Sequence, residues 1–135
     1  MTKWLLISLT AGVCAISEAA RPDDETARDA AVQWLQLVDA GRNDEAASQG
    51  SQEVRAFEQW VNQFKAQRVP LGRMSKRQLI EIKHTAIVSG VPEVRRYYVV
   101  RFRTAFERKP VAIEEIVLTK IGCCWEIFGY KISDR

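Results

Sequence analysis

The sequence predicts an α+β domain: N-terminal helices packed on a curved antiparallel sheet of about four strands, preceded by a signal peptide. Three observations predict it. Residues 24–67 place apolar side chains at spacings of three and four, the period of a helix. From residue 94 onward apolar and polar residues alternate, the period of a half-buried strand. The strands follow the helices with no helix between them, which fits an antiparallel sheet and not a βαβ parallel one.

Residues 1–19 read as a leader. Met1-Thr-Lys3 is a basic start, Trp4 to Val13 is mostly apolar and uncharged, and Ser17-Glu-Ala19 offers small residues where a signal peptidase reads them. The apolar run falls well short of the roughly 20 residues of a spanning helix, so a cleaved leader is expected rather than an anchor. Cys14 follows the bulky Val13, which fits lipoprotein processing poorly, and leaves with the leader. Residues 20–135 then form a single domain in a periplasmic or secreted location, with no later segment apolar enough to span a bilayer.

The elements follow in order. Asp24 is a candidate cap for a helix with Ala27, Ala30, Ala31, Trp34, Leu35 and Val38 on its buried stripe, closed by Gly41. Asn43 to Gln49 is a short second helix, broken at Gly50. Ser51 to Gln67 carries the stripe Val54, Phe57, Trp60, Val61 and Phe64, and Pro70 with Gly72 ends it. A first strand is expected over Leu79–Ala86, a turn at Ser89–Pro92 and a second strand over Val94–Glu107. In that second strand Tyr98, Val100, Phe102, Thr104 and Phe106 share one face, and Tyr97, Val99, Arg101 and Arg103 the other. Lys109-Pro110 turns the chain. Ala112–Thr119 and Trp125–Ile132 are the last two strands, joined across Lys120-Ile-Gly122.

The net charge is +3 but unevenly spread. Asp23 to Glu58 holds nine acidic and three basic residues, whereas Lys65 to Lys109 holds twelve basic and three acidic. Such asymmetry marks either a surface for anionic partners or two faces that attract each other within the fold. For an exported chain the anionic partner is an envelope protein or another envelope ligand, not nucleic acid.

Few residues are equipped for chemistry. No nucleophile elbow, phosphate loop or metal-ligand spacing occurs, and no cofactor is expected. His84, the single histidine, has no nucleophile beside it and reads as a surface or satisfied residue. Glu114 and Glu115 are adjacent in a strand, so one faces the helices. An inward carboxylate there needs a raised pKa or a basic partner. The simpler reading puts both near a solvated strand start beside Lys109-Pro110. Tyr97, Arg101 and Arg103 form a basic, aromatic stripe suited to carboxylate or phosphate, or to pairing with an acidic neighbouring strand. Cys123 and Cys124 can pair in an oxidising compartment only if a turn brings their side chains to one side, and Gly122 allows one. A bridge to another chain and plain packing of reduced thiols are the other readings.

Four pieces of the chain resemble an exported bacterial family catalogued as domain of unknown function 4019. They are Trp34 with Leu-Val-Asp39-Ala-Gly41; Trp60 with Arg68-Val-Pro70-Leu-Gly72 and Arg77; Tyr98 to Phe106 leading to Glu114; and Gly122, Trp125 and Gly129-Tyr130. The resemblance implies a helix-plus-curved-sheet domain similar to the cystatin or nuclear-transport-factor architectures, and no catalytic residues. The chain departs from the family at Asn43 to Gln49, where an aromatic residue is usual, and in its Cys123-Cys124 pair. Both departures argue against a shared cysteine-based function.

The leading expectation is therefore a non-enzymatic exported binding module acting through its sheet, with self-association by that face as one form of it. The alternatives are a small cone-pocket enzyme using Glu114 or Glu115 as acid or base, and an envelope-associated structural protein. A deep pocket holding an inward Glu favours the enzyme; a filled core with an exposed stripe favours binding.

Overall fold

A computed structural model describes residues 22–55, 59–86, 88 and 94–134. The expected leader and the turn at Ser89–Pro92 lie outside the described residues, as do Phe57 and the side chain of Val54. The described chain runs α1 (Asp23–Asp39), α2 (Asn43–Ser48), α3 (Gln52–Arg55), α4 (Trp60–Arg68), a 3₁₀ turn (Val69–Leu71), β1 (Met74–Thr85), β2 (Tyr97–Phe106), β3 (Lys109–Ile121) and β4 (Cys124–Ser133). The four strands pair antiparallel in the order β1-β2-β3-β4. This is the α+β architecture expected of helices followed by consecutive strands.

The first helix buries Ala27, Ala31, Trp34, Leu35 and Val38, the stripe its spacing predicts. It starts one residue before the expected cap, so Asp24 lies inside the first turn with Asp23 and Glu25, where acids suit the positive end of the helix dipole. Gly41 closes it at φ +73°. Helix α1 packs on β2 and β3, and α4 on β4. Between these layers Trp34 is fully buried. Its indole Nε1 donates to the Ala46 carbonyl at 2.8 Å, and its ring lies edge-on to Tyr130 and Phe64 and stacks with Trp60. Trp125 instead sits against Tyr98.

Several strand boundaries differ from expectation; β2, for one, begins at Tyr97 rather than Val94. Strand β1 begins at Met74, not Leu79, because Met74 to Gln78 pair through backbone opposite Phe106 to Arg103 while carrying no apolar alternation. Lys109 and Pro110 lie within β3, and Glu107-Arg108 make the turn. Pro110 is accommodated because the β2–β3 register skips between Thr104 and Phe106, a bulge that asks no ladder N–H of it.

The edge of β4 is covered. Ser51 N–H donates to the Ile127 carbonyl, Ile127 N–H to the Gln49 carbonyl, and Ile132 N–H to Gln67 Oε1. At the opposite edge β1 presents exposed Lys76 and Lys83, charges that discourage strand addition.

Candidate functional site

Alternation along β2 sends Thr104 into an otherwise apolar inward face. Register then brings Glu114 of β3 to the same side, since Glu114 lies opposite Phe102 and Ile132. Glu114 is fully buried, mid-strand, so the expectation that both glutamates are solvated at a strand start is corrected for Glu114. Its position follows from β3 beginning at Lys109, earlier than the apolar pattern indicates.

Both carboxylate oxygens of Glu114 are engaged. Oε1 accepts from Arg77 Nε at 2.8 Å and from Thr104 Oγ1 at 2.5 Å, and Oε2 accepts from Tyr130 Oη at 2.6 Å. Arg77 reaches on to Asp39, donating from Nη1 to Oδ2 at 2.8 Å and from Nη2 to Oδ1 at 3.2 Å. Arg68 donates to the same Asp39 Oδ1 at 3.2 Å and to the Gly72 carbonyl at 2.6 Å, with its guanidinium 4.5 Å from the Phe106 ring centre. Two arginines and two carboxylates thus balance in the interior, each held by several hydrogen bonds, as a buried ionic cluster requires.

The cluster shifts its own members. Burial pulls the Arg77 guanidinium towards its neutral form, but hydrogen bonds and charge from Asp39 and Glu114 win and hold it charged. Burial, then the charge and hydrogen bond of Glu114, push the Tyr130 phenol up. Asp39 ends α1, at the negative end of the helix dipole, where an acid is disfavoured; the two arginines offset this.

The sequence reading gave Asp39, Arg68, Arg77, Thr104 and Tyr130 no site role. Local signals mark two of them: Thr104 is a hydroxyl in the apolar face of β2, and Asp39 is an acid at the wrong end of a helix. All but Thr104 are also named residues of the family resemblance, and Thr104 lies within its third piece.

The other candidates lie elsewhere. Arg101 faces outward and donates to Glu81 Oε1 at 2.6 Å, holding the Glu81 carboxylate below its ordinary range; its own Nε is buried and has no hydrogen-bond partner among the described residues. Glu115 is half-buried on that outward side, opposite Arg101 and Lys131. Tyr97 is fully buried, edge-on to Phe128, which a bulge between Val117 and Leu118 turns outward. Arg103 is exposed and, among the described residues, has no ion-pair partner; with Lys76, Gln78 and Pro110 it lines a cleft of about 160 Å³. His84 Nε2 lies 2.7 Å from Asp24 Oδ1, a satisfied surface position. Cys123 and Cys124 are free and exposed. Among the described residues no group of three or more His, Cys, Asp or Glu is placed to hold a metal ion, and no helix is long and apolar enough to cross a membrane.

Helices on an antiparallel four-stranded meander, locked by a buried Arg–carboxylate cluster, define a small α+β domain. The chain belongs to the family described as protein of unknown function (DUF4019), whose model matches residues 30–130. No curated protein and no solved structure matches it.

Proposed function

We propose that this domain is a non-enzymatic, exported binding module that takes a carboxylate-bearing partner on the outward face of its sheet. The observation that carries the reading is the cleft where exposed Arg103 and Lys76, neither paired among the described residues, flank the Gln78 amide. Two cations and an amide donor suit a carboxylate group. The inward carboxylate that an enzyme reading needs is spent: Glu114 is wholly buried and its oxygens already accept three hydrogen bonds. Export rests on the leader pattern of residues 1–19.

The test uses immobilised polyglutamate and a Lys76→Glu, Arg103→Glu variant. Both side chains are exposed, so the fold is kept, whereas Arg101→Glu would set a second acid against Glu81. Wild type should bind with an affinity that falls as salt rises, and the variant at least about tenfold more weakly. Equal binding by the two proteins defeats the reading.

A further inference from the structure

The β3–β4 hairpin carries a feature that the outward cleft does not use. Gly122 and Cys123 make its turn, and Cys124 is the first residue of β4. Along a regular strand two neighbouring thiols point to opposite faces and cannot meet. Here the turn breaks that alternation: Gly122 adopts φ +62°, and the two sulfurs lie 2.6 Å apart. Both side chains are exposed, so a reagent reaches either one.

We propose that Cys123 and Cys124 form a reversible thiol–disulfide exchange site whose co-reactant is a low-molecular-weight disulfide. In the first step the Cys123 thiolate attacks one sulfur of RSSR. A Cys123–S–S–R bond forms, the R–S–S–R bond breaks, and RS⁻ leaves. In the second step the Cys124 thiolate attacks the Cys123 sulfur, closes the Cys123–Cys124 bond and expels the second RS⁻. The two thiol protons end on the two leaving thiolates. The protein dithiol is oxidised, and one RSSR is reduced to two RSH.

The order of attack has a physical basis. The Cys124 thiol is pushed up, first by its hydrogen bond to Cys123, then by the charge of Cys123, by burial and by Glu126. Capping Cys123 as a mixed disulfide removes the first two causes. Cys124 then ionises more readily at the moment it is needed as the second nucleophile. Trp125 follows directly in sequence and touches Tyr98, so its fluorescence reports the change at the hairpin.

The experiment takes the full chain with Cys14→Ser, so that only the pair reacts, and equilibrates it with mixtures of reduced and oxidised glutathione. The expected product is a monomer lacking two protons by mass, with the Trp125 contribution to tryptophan fluorescence altered relative to a Trp125→Phe control and restored on reduction. The Cys124→Ser variant should stop at a stable glutathione adduct. Accumulation of the same adduct in the protein with both cysteines, or of disulfide-linked dimers in place of the closed monomer, overturns the proposal. So does a protein that stays reduced where the Cys124→Ser variant is adducted.

Discussion

Glu114→Gln removes one negative charge from an interior where two arginines and two carboxylates balance. Arg77 then keeps its charge in a dry site with only Asp39 to answer it. The expected loss is about 3–5 kcal/mol, read from the midpoint of urea unfolding. A loss below about 1 kcal/mol would mean that water reaches the cluster. Tyr130 adds a pH signature. Its phenol is pushed up in the folded protein, while an unfolded tyrosine loses its proton near pH 10. The folded state therefore holds the extra proton above that pH. Stability from this group is fully present below about pH 10 and falls as pH rises further, by up to about 1.4 kcal/mol per pH unit. Tyr130→Phe should flatten that alkaline slope, and unfolding curves at a series of pH values compare the two proteins. Identical slopes would show that another group governs the alkaline limb.

At the level of elements, the hairpin turn offers a backbone test. A Cβ on Gly122 meets nothing within 4 Å, so Gly122→Ala pays only for a left-handed backbone. The expected loss is about 1–2 kcal/mol, with Gly122→Asn recovering part of it. A neutral Gly122→Ala, by the same urea midpoint, would mean that the turn readily adopts another conformation. The elements themselves were largely legible. Helix α1 and strand β2 bury one face each, and burial stamps its period on the residues. Strand β1 was read short because an edge strand with mostly exposed side chains carries no such stamp. Pro110 was read as a turn because a register bulge, which makes a proline tolerable within a strand, leaves no local mark in sequence.

Over the whole molecule the charge asymmetry is partly consumed by the fold. Acids of α1 meet bases of the sheet and of α4: Asp23 with Lys120, Asp24 with His84, and Asp39 with Arg68 and Arg77. The exposed pairs among them contribute little, since solvent screens them. The buried cluster draws Asp39, Arg68, Arg77, Thr104, Glu114 and Tyr130 from six different elements. Of the stripe read from the sequence, Arg103 is exposed, Arg101 is tied to Glu81, and Tyr97 is buried against Phe128. The sequence by itself determined the order of helices and strands, most of their buried faces, the acidic and basic halves, and the adjacency of two cysteines beside a glycine. Each of these is written in local spacing. Only the tertiary structure decided that Glu114 turns inward, which bases answer it, and that two neighbouring thiols meet. Periodicity assigns a residue to one side of its own element. Which residue stands opposite depends on strand register, bulges and the seating of helices on the sheet, and those are settled by packing among distant segments.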